Sequence, residues 1–107
     1  MDPAHDVAYF FAGVFLANAV PHFVRGVTGQ PFQTPFATPP GQGLSSSTVN
    51  VVWAMVNLVL AWMLSCRVGE FALRALDQAG AFGLGLLLMG LFLARNFGAL
   101  HGGNEPT

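Results

Sequence analysis

Asn18, His22 and Arg25 stand at i, i+4 and i+7 in an otherwise apolar run, so a helix carries all three on one face. Asn50 and Asn57, seven apart in a second apolar run, share a face in the same way. In a third run Arg95 and Asn96 occupy the last turns, with His101 just beyond. These groups offer hydrogen bonds and positive charge. With no acid in the same runs, Arg25 and Arg95 suit an anion: a phosphate, a carboxylate or a lipid headgroup. The competing reading is plainer. Arginines near helix ends snorkel to headgroups, and asparagines join neighbouring helices. His22 and His101 raise a further alternative, axial ligands of a haem or part of a metal site. Carboxylates are missing, and Gly102-Gly103 ends the helix at His101, so no cofactor or metal is assigned.

The elements that must hold these groups are membrane helices. Of 107 residues 53% are hydrophobic and 8% charged, with no lysine, against about 25% charged in ordinary globular chains. A soluble protein so poor in charge would expose large apolar patches. A span needs about 20 mainly apolar residues to cross about 30 Å of hydrocarbon. Three segments qualify, at about 7–27, 48–66 and 79–100. The expected fold is therefore all-α: one membrane domain, a three-helix bundle, in contact with the lipid bilayer. The net charge of −1 leaves no basic face for nucleic acid. Cys66 is the one cysteine, which excludes an intrachain disulfide and a cysteine-based metal site. The acidic start, Met1-Asp2-Pro3-Ala4-His5-Asp6, is unlike a secretory signal, so the first span is read as permanent.

Between the first two spans lies a Pro/Gly-rich loop, 28–47, with Pro31, Pro35, Pro39, Pro40, Gly29, Gly41 and Gly43. Proline blocks helix and central strand alike, so an irregular or polyproline-like excursion is expected, with Phe32 and Phe36 as interface anchors. Ser45 to Thr48 supplies N-cap candidates for the second span. The segment 67–78 pairs Glu70 with Arg74 four residues on, which predicts a short interfacial helix or an early start to the third span. Gly13 and Ala17 in the first span, and Gly90, Ala94 and Gly98 in the third, form small-residue stripes suited to close helix contact, within the chain or between copies. Pro21 interrupts the first span, and Trp53 and Trp62 lie towards opposite ends of the second as expected for interface anchors.

Three spans put the end of the first, the start of the second and the end of the third at one membrane face. Asn18, His22, Arg25, Asn50, Arg95, Asn96 and His101 gather there, with Asn57 deeper, beneath the loop of Phe32, Pro35, Phe36, Pro39, Pro40 and Gly41. A polar pocket closed by that loop is the expected site. Each face has two arginines; Arg67 and Arg74 lie in a clear loop, which leans the N-terminus to the cytoplasmic side.

The stretch from Pro21 to Trp53, with its PHF, TPFA, PPG and SS–N–W pattern, resembles a group of small bacterial multi-pass membrane proteins of unassigned function. The resemblance implies a bacterial inner-membrane protein and adds no catalytic residue. No enzyme motif is present: Ser45, Ser46 and Ser47 lack a nucleophile elbow, and Gly80, Gly83, Gly85 and Gly90 follow no strand. The expected function is non-enzymatic, an accessory subunit of a larger membrane complex or an oligomeric binding protein. The alternatives are a small oligomeric anion transporter or channel, and a haem- or metal-binding protein.

Overall fold

The computed structural model describes residues 2–105 and is all-α apart from one small hairpin. The order is α1 (Pro3–Val27), β1 (Phe32–Gln33), β2 (Leu44–Ser45), α2 (Ser47–Cys66) and α3 (Leu76–His101). All three helices are long and apolar enough to cross a membrane, and the chain is an integral membrane protein by that measure. Asp2 caps α1, its carboxylate accepting from Ala4 N at 2.9 Å, with Pro3 in the first turn where no amide is missed. α1 continues through Pro21. Ser46, from the expected cap stretch, is the N-cap of α2 and accepts from Val49 N at 3.2 Å.

α1 is the middle helix. It packs extensively against both α2 and α3, which share no comparable interface with each other. Lipid supplies no hydrophobic drive between helices, so close approach must come from small residues. A Cβ at Gly13 would collide with the Phe82 carbonyl of α3, and one at Gly85 with the Phe10 carbonyl of α1. A Cβ at Gly26 would lie 2.6 Å from Val51 Cγ2 and 2.8 Å from the Ser47 carbonyl of α2. Ala12 and Ala54 are fully buried. The expected stripe on α3 is displaced: Gly90 faces open space, Ala94 is exposed, and Gly98 meets only the Asn104 side chain. Gly85 holds the contact that the Gly90–Ala94–Gly98 spacing had suggested.

The connection from α2 to α3 is not helical before Leu76, so the interfacial helix is corrected and the early start of α3 stands. The reason is reach. α2 and α3 lie against different sides of α1, so the chain must cross the end of α1. A helix advances about 1.5 Å per residue and an extended chain about 3.3 Å. Gly69 passes directly over Tyr9 and His5, where a Cβ would come within 2.6 Å of the Tyr9 hydroxyl. Phe71 then wedges between Tyr9 and Phe82, at centroid distances of 5.0 and 5.5 Å. The longer helices also bring two acids into the spans, Asp6 and Asp77 in the first turns of α1 and α3. The expectation that the spans hold no acid is therefore wrong at this face, although it holds at the face bearing the loop.

The Pro/Gly loop is also more ordered than a polyproline excursion. Phe32 and Gln33 pair antiparallel with Ser45 and Leu44. Proline's missing donor confines pairing to the stretches outside Pro35–Pro40. The tip closes on itself: Gly41 N donates to the Thr34 carbonyl at 2.9 Å and Gly43 N to that of Pro39 at 2.8 Å. Gly41 has φ of 73°, a conformation that glycine adopts without strain.

Candidate functional site

The hairpin sits on the helix ends through Asn50. This side chain is fully buried, and its Nδ2 donates to the carbonyls of Phe32 and Ser45 at 3.2 Å and of Ser46 at 3.0 Å. With the amide nitrogen turned to those carbonyls, Asn50 Oδ1 faces His22 and accepts from its Nδ1–H at 2.7 Å. His22 is 2% exposed. A neutral imidazole carries one proton, so a proton on Nδ1 leaves Nε2 with a free lone pair. Among the described residues the His22 ring makes its one hydrogen bond through Nδ1. One turn deeper, Asn18 Nδ2 donates to Asn57 Oδ1 at 3.0 Å, and Asn57 Nδ2 to the Trp53 carbonyl at 2.8 Å.

His22 opens onto a cavity of about 410 Å³, within the usual range of small-molecule sites. α1 contributes Asn18 and His22, and α2 contributes Trp53. The α3 wall is Met89, Phe92, Leu93, Asn96 and Phe97, and the loop closes it with Gln33, Thr34, Pro35, Pro40 and Gly41. Among the described residues no Asp, Glu, Lys or Arg lines it. Gln33 and Thr34 are both buried, Thr34 sharing a hydrogen bond of 2.5 Å with Ser45 Oγ. Trp53 also walls a second, apolar cavity of about 290 Å³ with Phe36, Val49 and Val52. Its Nε1–H is buried and finds no acceptor among the described residues.

The expected pocket residues divide into three groups. Asn18, His22 and Asn96 line the cavity; Asn50 and Asn57 are fully bonded behind it. Arg25, Arg95 and His101 lie outside it. Arg25 is bonded to Gln30 and lies over the Phe32 ring, 5.4 Å from its centroid. Arg95 is exposed, and its carbonyl accepts from Asn104 Nδ2 at 2.8 Å. The placement of both arginines in an anion pocket is thus corrected, since their backbone positions at the helix ends let the long side chains leave the interior. His101 is the last residue of α3 rather than beyond it, and its Nε2–H donates to Gln33 Oε1 at 2.9 Å. The Phe32 ring stacks on His101 at 5.5 Å and meets His22 edge-on at 5.5 Å, so it stands between the two imidazoles. They do not face one iron, and among the described residues no three metal-ligating side chains cluster.

Of the loop residues, Pro35, Pro40 and Gly41 form the lid, and Pro39 follows a cis bond within it. Phe36 is 65% exposed, as an interface anchor should be, and leans edge-on against Trp53 at 4.9 Å. Phe32 is instead buried, packed on Phe97 at 4.6 Å. Trp53 likewise turns inward, while Trp62 is exposed. The lining residues that residue chemistry alone did not single out are Gln33, Thr34, Trp53 and, on α3, Met89, Phe92, Leu93 and Phe97. A signal for them existed: Trp53 falls three after Asn50 and four before Asn57, and Met89, Leu93 and Asn96 repeat the i, i+4, i+7 spacing of Asn18, His22 and Arg25.

Comparisons of the chain with known protein families, with curated proteins and with solved structures find no match.

Proposed function

We propose that this is a non-enzymatic binding protein of the bacterial inner membrane, which holds a small molecule in the cavity beneath its proline loop. The observation that carries this reading is His22: a buried imidazole, oriented by Asn50, with an unpartnered Nε2 on a cavity of ligand size. Asn50 aligns His22 as an outer residue aligns a binding group, and the loop supplies a lid. The anion alternative loses its carriers, because neither arginine reaches the cavity.

The reading extends to assembly. The outer face of α3, with Gly80, Gly83, Gly90 and Ala94 uncovered, is where a second copy or a larger complex would pack, as an accessory subunit requires. The test is purification from native membranes in mild detergent, followed by mass spectrometry of retained small molecules and of the intact assembly. A molecule retained at about one per chain, and lost in His22→Phe, is expected. A preparation that retains nothing, and whose thermal stability is unaffected by filling the cavity with Thr34→Trp, counts decisively against the reading.

A further inference from the structure

α2 and α3 both pack on α1 and share no comparable interface with each other, so between them a groove runs over the Asn18–His22 face of α1. At the membrane surface the groove is lined by the loop residues Thr34, Pro35, Pro40 and Gly41. On its side wall stands Phe92 of α3, which is 59% exposed and, on a membrane-spanning helix, meets lipid. A molecule arriving from that side is dissolved in the bilayer, not in water.

The lining narrows the chemistry further. No charged side chain is present to receive a headgroup phosphate or a carboxylate. Two of its polar atoms bear on the ligand: His22 Nε2, which makes no hydrogen bond among the described residues and can only accept, and Trp53 Nε1–H, buried without an acceptor, which can only donate; the Asn96 amide lines the cavity beside them. The two rings are 6.4 Å apart between centroids. A hydroxyl answers both, giving its proton to His22 and its lone pair to Trp53. A ketone or an ether answers only Trp53. Three aromatic rings, Trp53, Phe92 and Phe97, stand in the walls, which favours a planar ring at 4.5–7 Å centroid spacing, as such pairs adopt generally.

We infer that the groove takes a neutral, lipid-soluble hydroxylated aromatic, a phenol or quinol, which enters laterally between α2 and α3 and hydrogen-bonds through its hydroxyl to His22 Nε2. This rests on the binding reading above, and names its ligand class and route.

The experiment uses the full chain in lipid nanodiscs with tritiated para-pentylphenol, its methyl ether and para-pentylcyclohexanol, empty nanodiscs being subtracted for partition. Saturable binding of the phenol at one site per chain is expected. The ether should bind about tenfold more weakly, the effect of one buried hydrogen bond, and the cyclohexanol about threefold more weakly for want of the ring. His22→Phe should bring the phenol down to the level of the ether. Trp53→Phe, which keeps a ring and removes the donor, gives the same comparison should the first variant not fold. Equal binding of phenol and ether overturns recognition through the hydroxyl and leaves a binding cavity standing. Equal binding of phenol and cyclohexanol overturns the aromatic class. Absence of saturable binding by all three overturns the inference outright, while the retained-molecule measurement separately decides whether the cavity is a binding site.

Discussion

Asn50 is the residue on which the loop end depends. Four hydrogen bonds converge on its amide, three to carbonyls and one from His22, in a side chain with no exposure. Replacing it by leucine leaves the Phe32 and Ser45 carbonyls and the His22 Nδ1–H without their partner. Buried groups so orphaned cost about 1–3 kcal/mol each at the upper limit, although water at the membrane surface recovers part of this. Asn50→Leu is therefore expected to lower stability by about 2–3 kcal/mol in thermal unfolding in detergent. Asn18→Leu breaks one part-buried bond to Asn57 and should cost about 1 kcal/mol. The reverse ranking would refute this account of the loop's attachment. The same geometry fixes a tautomer. Nitrogen NMR of histidine-labelled protein should find the neutral His22 ring protonated on Nδ1, and Asn50→Leu should let the Nε2–H form appear. A wild-type ring protonated on Nε2 would remove the acceptor from the cavity.

At the scale of helices, glycines that look alike in the sequence have opposite roles. Gly85 and Gly13 sit where α1 and α3 backbones touch, and Gly80, Gly83 and Gly90 face open space. Gly85→Ala forces the helices apart, and overpacking of this kind costs about 1–3 kcal/mol. Gly83→Ala and Gly90→Ala meet nothing and should be neutral to stabilising by about 0.5–1 kcal/mol, the helix-propensity gain over glycine. Unfolding by a denaturing detergent, read by circular dichroism, ranks them; a destabilising Gly90→Ala would instead place a partner on that face. Much of this was legible beforehand. Apolar run lengths set the three spans within a few residues, and the spacing of Asn18, His22 and Asn50 pointed to the right membrane face. The spacing of small residues did not say which stripe meets which helix, because i, i+4 repeats occur on contacting and lipid-facing sides alike. Nor did it show that Arg25 and Arg95 leave the interior: a helical position fixes where a Cβ points, whereas a long side chain ends several ångströms away. Phe32 was misread for a related reason. Its neighbours in sequence are prolines, but its neighbours in space, His22, Phe97 and His101, come from two helices brought together only by the fold.

For the molecule as a whole, an odd number of spans separates the two faces by chemistry. The loop face holds the amide–imidazole network and the lid. The other holds Asp6 and Asp77, in the first turns of α1 and α3, beside the connection that carries Arg67 and Arg74. With the N-terminus proposed to be cytoplasmic, the cavity lid lies on the outer face and the acidic end inside. Cys66 reads this out directly, since it is exposed at the end of α2, on the same side as the N-terminus. In intact cells stripped of their outer envelope, a membrane-impermeant maleimide should leave Cys66 unlabelled, and permeabilisation should expose it. A cysteine introduced at the loop tip by Gln42→Cys, in a Cys66→Ala background, should behave in the opposite way. Labelling of Cys66 from outside would reverse the orientation and put the lid on the cytoplasmic side. The lateral route would survive that reversal, because the gap between α2 and α3 opens to lipid whichever way the chain is inserted.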